Sequence, residues 1–274
     1  AFPRTDGFDV EIAPNGSGLV LSGLTNYTVT NGASQVTIAT SKLVLKIDKS
    51  PYRLAVYKGD GRTLITRQYD PAQFRNIGWA SDGRTTVTKI EDHFLSPQGE
   101  RFEGFGERYD RLDHRGTDVH NYVYNQYQDQ GSTRRTYYSV PYFANSAGYG
   151  VHVASTRYAI FNLATHRTDM AGFTVNTGGA LNSTLTYQFF TGDQTEMLDD
   201  FTAETGRPLL PPKWAFGLWG SANEWNTQAE VETWLTQVNT SGIPHSALVL
   251  EQWSDEATFY LWKDAQYTPK PGNE

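Results

Sequence analysis

The chain has 274 residues, of which 38% are hydrophobic and 19% charged, so it can fold as one large or two ordinary globular domains. Its formal net charge is −7, and no basic run is longer than Arg134-Arg135, which argues against nucleic-acid binding because phosphate neutralisation needs clustered Lys and Arg. The absence of cysteine excludes disulfides and thiolate metal sites within the chain, and no apolar run approaches the roughly 18 residues of a membrane span.

The first part of the chain, to about residue 190, carries the pattern of half-buried strands. "SQVTIATSKLVLKID" (34–48) alternates apolar and polar residues, and "YRLAVYKGDGRTLITR" (52–67) predicts a hairpin that turns at Gly-Asp-Gly. Turn-forming residues recur about every 8–15 positions, which is typical of a β-sandwich. We therefore expect a β-rich N-terminal sandwich.

A helix and a proline-rich connector follow this region. "QTEMLDDFTAETG" (194–206) spaces Met197, Leu198 and Phe201 as one helix face does, and it ends on Gly206, a common helix stop. "RPLLPPKW" (207–214) is rich in proline, which indicates a rigid connector rather than a flexible linker.

The remainder predicts the order strand, helix, strand. "WAFGLWG" (214–220) and "HSALVLEQW" (245–253) each predict a short buried strand, and Thr227 with Glu230 forms a capping box before a helix with one apolar face. A βαβ unit belongs to a parallel sheet, which a single unit cannot complete. The predicted domains are a sandwich at 1–195, a helix and connector at 196–213, and the start of an α/β domain at 214–274.

Acidic residues and a tryptophan follow the second predicted strand. Glu251, Trp253 and Asp255 come where functional groups gather in a (β/α) barrel, at the carboxyl ends of strands. Glu251 and Trp253 have the same parity, so both can face the barrel mouth. The alternative is a solvated acidic loop.

A tyrosine-rich segment, "NYVYNQYQDQGSTRRTYYSVPYF" (121–143), mixes aromatic rings with amides. A sugar site needs this combination, because rings stack on pyranose faces and amides bond hydroxyls. Asn125, Gln126 and Tyr127 are the candidates here. A tyrosine-rich strand pair of the sandwich explains the composition equally well.

"FEGFGERYDRLDHRG" (102–116) is the most distinctive string. Gly104 and Gly106 indicate a β-bulge rather than a phosphate loop, because no helix pattern follows them. The charges that follow alternate in sign, which indicates local salt bridges or a network that fixes a loop.

Four glycosylation sequons predict a secreted glycoprotein. They begin at Asn15, Asn26, Asn182 and Asn239. The first residues, "AFPRTDG", are consistent with removal of a signal peptide or propeptide.

Four collinear strings resemble glycoside hydrolase family 31. They are "GFGERYDRLDHRG", similar to the family's "YGLGER"; "YYSVPYFANSAGYGV", similar to "Y-x-S-x-P-F" followed by "GYG"; "TGRPLLPPKWAFGLWGS", similar to "TGRPxLPPxWALGxxxS"; and "GIPHSALVLEQW", similar to "GIPxDxxxxDxD". Together they cover most of residues 100–256.

The resemblance implies a sandwich followed by a (β/α)8 barrel and a retaining hydrolysis or transfer of α-linked glucosyl units. Retention uses two carboxylates as nucleophile and acid/base. In this family both are aspartates on later barrel strands, and no "W-x-D-M-N-E"-like string occurs here. We therefore expect no catalytic residue in this chain, and we expect another chain, a nicked fragment of the same precursor, to complete the barrel. The implied mechanism needs no cofactor, and no metal-ligand cluster is apparent.

The resemblance also implies roles for individual residues. Glu251 is expected to bond hydroxyls of the glucosyl unit, and Trp253, which replaces the second aspartate of "D-x-D", is expected to form a pocket wall. The segment that holds Asn125, Gln126 and Tyr127 would reach over the barrel mouth. Asp255 is a weaker candidate, and Trp219, expected to end the first barrel strand, is as compatible with the core as with the pocket.

Departures from the family pattern indicate a subgroup that acts on α-1,3- and α-1,6-linked glucans. With the sequons, they favour a secreted fungal α-glucosidase or transglucosidase. The sequence leaves hydrolysis and transfer, and the choice among α-1,3, α-1,4 and α-1,6 linkages, undecided. The rivals are a non-catalytic carbohydrate-binding protein and a structural extracellular β-sandwich.

Overall fold

The computed structural model describes residues 6–12, 26–70, 77–81, 86–124, 136–179, 183–222, 225 and 227–250. The chain divides into two compact units, Ala1–Gly206 (unit 1) and Arg207–Glu274 (unit 2). No helix in the described part of the chain is long and apolar enough to cross a membrane.

The described part of unit 1 forms three five-stranded antiparallel sheets. Sheet A contains, in spatial order, β1 (Gly7–Ile12), β15 (Leu185–Thr191), β12 (Tyr149–Val153), β11 (Ser139–Asn145) and β9 (Phe102–Gly106). Sheet B contains β10 (Thr117–Asn121), β13 (Ala159–Leu163), β14 (Met170–Asn176), β8 (Val87–Leu95) and β7 (Ile77–Ser81). Sheet C contains β2 (Thr28–Asn31), β3 (Gln35–Ala39), β4 (Leu43–Lys49), β5 (Tyr52–Lys58) and β6 (Leu64–Arg67).

Aromatic side chains join sheets A and B face to face. The ring of Phe94 in β8 lies 6.2 Å from Tyr187 and 6.0 Å from Phe189, both in β15. Phe105 of β9 and Phe161 of β13 are 5.1 Å apart. Inward-facing rings from two sheets make the core of a sandwich, so the predicted β-sandwich is confirmed.

Sheet C adds its apolar face to the same core. Leu43, Leu45, Leu54 and Val56 are buried and belong to one cluster with the aromatic residues of sheets A and B. The alternation in 34–48 becomes β3 and β4, and the predicted hairpin becomes β5 and β6. Sequence pattern predicted these strands but not their grouping into a separate third sheet.

A buried carboxylate connects all three sheets. Asp92 of β8 accepts hydrogen bonds from the Tyr187 hydroxyl (2.7 Å), the Gln68 amide (3.0 Å to each oxygen) and the backbone N–H of His93 (2.8 Å). The same Gln68 side chain accepts a 2.9 Å bond from the N–H of Leu54 in β5. Burial raises the pKa of Asp92 to about 7, although these donors act in the opposite direction.

Helix α1 (Gln194–Thr205) covers the outer face of sheet A. Asp193 and Glu196 form a reciprocal capping box at its start, and Gly206 follows its end, as predicted. Met197 is fully buried, and the ring of Phe201 stacks on Tyr142 of β11 at 4.2 Å. The predicted apolar face is confirmed at Met197 and Phe201, which pack on the sheet, whereas Leu198 is 52% exposed.

Unit 2 contains a βαβ element. β16 (Trp219–Ala222) and β17 (Ala247–Leu250) pair in parallel, and α2 (Gln228–Thr240) connects them. Thr227 and Glu230 form the predicted capping box, and Val231 and Val238 are the buried residues of the helix. The predicted strand-helix-strand order is confirmed.

The prediction of a buried strand across 214–220 is wrong in part. Lys213–Phe216 form a 3₁₀ helix, and the strand begins only at Trp219. Pro212, in extended conformation, precedes the helix, and the N–H of Gly217 bonds the carbonyl of Trp214 to close the turn. Trp214 and Phe216 are exposed, so the apolar run does not bury itself within this unit.

Candidate functional site

Strand β9 ends in a β-bulge beside strand β11. Gly104, Phe105 and Gly106 all have positive φ (128°, 68° and 81°), and the register with β11 shifts between Ser139 and Phe143. A Cβ on Gly106 would lie 2.1 Å from the carbonyl oxygen of Tyr138, so only glycine fits. The predicted β-bulge is confirmed.

The charges after the bulge hold backbone groups in place. Asp113 accepts bonds from the N–H groups of Phe102 (3.1 Å) and Arg115 (3.0 Å). The guanidinium of Arg115 donates to the Ser96 hydroxyl (2.8 Å) and to the Thr168 carbonyl (2.7 Å). The network predicted to fix a loop is therefore present.

Arg108 connects the bulge to strand β10. It donates to the carbonyl of Phe105 (3.1 Å) and to the carbonyl of His120 (3.2 Å). Burial lowers the pKa of Arg108 to about 10, and nearby Asp110 partly offsets this effect. The bulge and the end of β10 are thus held at a fixed separation.

Aromatic rings cluster at the end of β10. Tyr122, which is half exposed, packs edge-on against Tyr124 (5.2 Å) and Tyr158 (5.9 Å). The hydroxyl of Tyr158 is hydrogen-bonded to Nδ1 of His120. Edge-on packing and this bond orient the Tyr122 ring while part of it remains open to a ligand.

A cleft of about 410 Å³ lies beside this cluster, between the end of β10, the start of β11 and the turn after β12. Its lining mixes apolar surface with hydroxyl and amide groups, from Asn121, Tyr122, Ser139, Pro141, Ser155 and Thr156. Asn121 begins the tyrosine-rich segment, but the sequence pattern predicts no role for it. Its partners in the cleft come from distant strands, which no local motif reveals.

The structure does not describe the sandwich-loop residues predicted to bind sugar. Asn125, Gln126 and Tyr127 lie outside the described residues, and they follow Tyr124 directly in the sequence. Their assigned roles therefore stay predictions.

The two parallel strands of unit 2 are in register, with Trp219 of β16 opposite Ala247 of β17 and Ala222 opposite Leu250. Glu251 comes next in the sequence, but Glu251, Trp253 and Asp255 lie outside the described residues. Their roles also stay predictions.

Trp219 stands at the opposite end of its strand. It is the first residue of β16, so the expectation that it ends the strand is wrong. Its indole N–H donates to the carbonyl of Ala215 (3.1 Å), and its ring lies 5.6 Å from Trp214. Because barrel sites form at the carboxyl ends of strands, this position gives a pocket role for Trp219 little support.

The described sequons are accessible. Asn26 precedes β2 and Asn239 lies in the last turn of α2, and both are exposed. Asn15 and Asn182 lie outside the described residues. Glycosylation itself stays a prediction.

Comparison with known proteins finds two family models in chain order. The "Glycosyl hydrolase 31 N-terminal galactose mutarotase-like domain" matches residues 11–162, and the "Glycosyl hydrolases family 31 TIM-barrel domain" matches residues 208–273. The second match supports reading the βαβ element of unit 2 as the start of a barrel.

Individual relatives agree with these models. The chain is 51% identical along its whole length to an isomaltosyltransferase of Sporosarcina globispora, and it covers 25% of that protein. It is 37% identical over 62% of its length to a 1,3-alpha-isomaltosidase of Kribbella flavida, of which it covers 23%. A cycloalternan-forming enzyme from Listeria monocytogenes, solved in complex with a pentasaccharide substrate, superposes with a TM-score of 0.88 at 41% identity.

That superposition covers 98% of this chain and 25% of the Listeria enzyme. The chain thus spans about a quarter of the length of these relatives. The two domain matches, in the family's order and on the sandwich and βαβ element described above, show that the chain belongs to glycosyl hydrolase family 31.

Proposed function

We propose that this chain is the N-terminal part of a retaining α-glucosidase or α-glucosyltransferase that acts on α-linked gluco-oligosaccharides. The 51% identity to an isomaltosyltransferase along the entire chain carries this proposal. The isomaltosidase and cycloalternan-forming relatives support the same substrate class. A transferase among these relatives supports transfer to a sugar acceptor beside hydrolysis.

The chain supplies substrate contacts rather than the reacting carboxylates. A retaining mechanism needs a nucleophile and an acid/base about 5–5.5 Å apart, and we place both outside this chain. In this proposal Glu251 bonds sugar hydroxyls, Trp253 forms a pocket wall, and Asp255 is a weaker candidate contact. Asn125, Gln126 and Tyr127, on the sandwich loop, are proposed as further sugar contacts. The oriented rings of Tyr122 and Tyr124, directly before that loop in sequence, support a carbohydrate role for the segment.

The rest of the barrel lies, in this proposal, on a second fragment of the same precursor. The described part of unit 2 exposes large apolar side chains, including Leu209 (92% exposed), Leu210 (91%) and Phe216 (70%). Apolar surface of this kind is typical of an interface, and parallel strands are normally covered on both faces. In this proposal, the strands and helices of that fragment bury it.

We further propose that the protein is a secreted glycoprotein, which the exposed sequons at Asn26 and Asn239 support. Treatment with an endoglycosidase should reduce the mass of this chain. An unchanged mass would contradict the proposal.

A combined assay tests the main proposal. Turnover of α-glucosides should co-elute with this chain on a sizing column, and the first-formed product should keep the α-anomeric configuration by NMR. Denatured intact-mass analysis should reveal a second polypeptide in the same peak. Binding of glucan without turnover would favour the carbohydrate-binding alternative, and neither binding nor turnover would favour a structural protein.

A further inference from the structure

We propose that helix α1 docks on sheet A through a pH-sensitive latch, in which protonation of His152 weakens the contact between the helix and the sheet. The latch is independent of the proposed activity. It consists of a row of polar side chains beneath the helix, together with a small apolar cluster that is separate from the main core.

The contact between α1 and sheet A is distinct from the core that joins the three sheets. Met197 and Phe201 of α1 pack with Tyr142, Ala144 and Phe190 of sheet A in a cluster of their own. These residues do not belong to the main cluster of sheets A, B and C. An element held by a small satellite cluster can open locally while the rest of the domain stays folded. Docking of α1 is therefore a separate equilibrium that a single group can influence.

Polar side chains cross sheet A directly beneath this helix. Tyr142 of β11, His152 of β12 and Gln188 of β15 are partners in the register of adjacent strands, and Asp9 of β1 is the next partner in the row. Residues opposite each other in a sheet share one face. The ring of Phe201 covers this face, 4.2 Å from Tyr142 and 5.1 Å from His152. The helix thus rests partly on titratable side chains.

Hydrogen bonds connect His152 to the helix through Gln188. Nδ1 of His152 lies 2.7 Å from Oε1 of Gln188, and Nε2 of the same amide donates to the carboxylate of Glu204 in α1. Because an ionised carboxylate only accepts hydrogen bonds, Glu204 requires the amide nitrogen on its side and leaves the amide oxygen for His152. The neutral imidazole then donates from Nδ1, so its Nε2 is the atom that gains a proton in acid.

Titratable groups face His152 from the elements packed around it. They are Asp9 of β1, Tyr142 of β11, and Asp200 and Glu204 of α1. The three carboxylates favour a charged imidazole. Burial and, to a smaller extent, Asp200 raise the pKa of Tyr142, so the phenol stays neutral.

Burial decides the balance at His152. It lowers the pKa of the imidazole from the ordinary value of 6.5, and the bond to Gln188 acts in the opposite direction but is the weaker effect. The docked state therefore resists a proton that an exposed histidine accepts. Docking has its full stability above pH 6.5 and loses it as the pH falls toward the lower pKa of the docked state.

Native-state hydrogen exchange on the complete enzyme that contains this chain measures the latch. The opening constant of peptides within 194–205, corrected for intrinsic exchange, should rise by about twofold or more between pH 7.5 and pH 5.5. Its ceiling is about tenfold, because an undocked histidine of ordinary pKa is about ten parts protonated to one part neutral at pH 5.5. Exposed carboxylates stay largely ionised over this range, so they do not produce the change.

Peptides of β14 (Met170–Asn176) report on the main core in the same samples. β14 pairs with β8, which carries Asp92. Because the pKa of Asp92 is raised to about 7, its protonation stabilises the folded sandwich as the pH falls. A loss of protection confined to α1 is therefore the expected signature, and an equal loss in β14 overturns the latch.

His152→Asn is the matched variant, because its amide nitrogen replaces Nδ1 as a donor to Gln188 but does not titrate in this range. The opening constant of α1 in this variant should be the same at pH 7.5 and pH 5.5. His166→Asn replaces an exposed histidine between β13 and β14 and should keep the pH dependence of the wild type. No pH dependence in the wild type, or an unchanged one in His152→Asn, overturns the latch.

A second measurement needs no variant. Exchange of the imidazole C2 hydrogen, followed by mass spectrometry, gives the pKa of individual histidines. We expect His152 to titrate below 6.5, and we expect α1 to open increasingly between pH 6.5 and that pKa. A His152 that titrates at or above 6.5 overturns the proposal, even if His152→Asn fails to fold.

Discussion

Gly220 of β16 lies directly against the indole of Trp234 in α2: a Cβ at position 220 would stand 2.2 Å from Cη2 of that ring. The indole is flanked by Trp225 at 4.9 Å and His245 at 5.6 Å, so it has little room to move. The helix can approach this strand closely only because the position has no side chain.

Gly220→Ala should therefore destabilise unit 2 by about 1–3 kcal/mol, the usual cost of overpacking a fitted contact. Urea unfolding followed by tryptophan fluorescence measures the change. Combining it with Trp234→Leu should make the two effects non-additive, because the smaller side chain leaves space for the new methyl group. Strict additivity would contradict the contact.

Asp92 should make stability depend on pH. Burial raises its pKa to about 7 in the folded protein, against an ordinary value of 3.8. Between about pH 4 and pH 7 the folded state keeps a proton that the unfolded chain releases, so this group's effect on stability becomes less favourable as pH rises through that window. Each unit of pKa difference corresponds to about 1.4 kcal/mol.

Asp92→Asn removes that titration. The difference in unfolding free energy between variant and wild type should change across the window and become constant above about pH 7. Urea unfolding at a series of pH values measures it. A difference that is the same at pH 4 and pH 7 would show that Asp92 titrates normally in the folded state.

Gly106→Ala should disrupt the bulge in β9. The position combines a φ of 81° with a carbonyl oxygen 2.1 Å from the Cβ that alanine would add. Gly99→Ala is a matched control, because Gly99 has a φ of 97° but no described heavy atom within 4 Å of its would-be Cβ.

Alanine is strained at a positive φ, so the free energy of unfolding should fall by roughly 1–3 kcal/mol in both variants. It should fall further in Gly106→Ala than in Gly99→Ala, because of the added contact with the Tyr138 carbonyl. Thermal unfolding compares them. Equal losses would mean that conformation alone, rather than contact with the Tyr138 carbonyl, requires glycine at position 106.

In the proposed enzyme, Trp253→Asp should change the distribution of products. The family pattern has an acidic residue at this position, and a group built to bond hydroxyls discriminates among substrates far more strongly than an apolar wall does. We expect the ratio of transfer to hydrolysis, or the linkage of the products, to change by about tenfold or more. Chromatography of products from an isomalto-oligosaccharide measures this.

Trp79→Asp, the same replacement at an exposed position in β7, should leave the product profile unchanged. An unchanged profile in Trp253→Asp as well would remove Trp253 from the set of specificity residues.

Local sequence signals predicted the elements of this chain well. The alternation in 34–48, the capping box at Thr227 and Glu230, and the stop at Gly206 each reflect an interaction between neighbours in sequence, so the sequence alone shows them. The βαβ order followed from the same signals.

The sequence did not predict contacts between residues that are far apart in the chain. Asp92 and Tyr187 are 95 residues apart, and no pattern around either indicates the bond between them. The sequence predicted a strand where a 3₁₀ helix follows Pro212, because apolar content alone does not distinguish a buried strand from an exposed turn of helix. The sequence also did not predict the cleft at Asn121, because three segments that are far apart in the chain meet there.

The junction of three sheets at one carboxylate has a consequence for how unit 1 opens. No sheet can separate from the other two without leaving Asp92, Gln68 or Tyr187 partly unbonded in an apolar interior. Partial opening is then penalised nearly as much as complete opening, which favours a single cooperative transition over stepwise loss of sheets. The most protected amides of β5, β8 and β15 should accordingly show one common free energy of opening in native-state hydrogen exchange, as one folding unit.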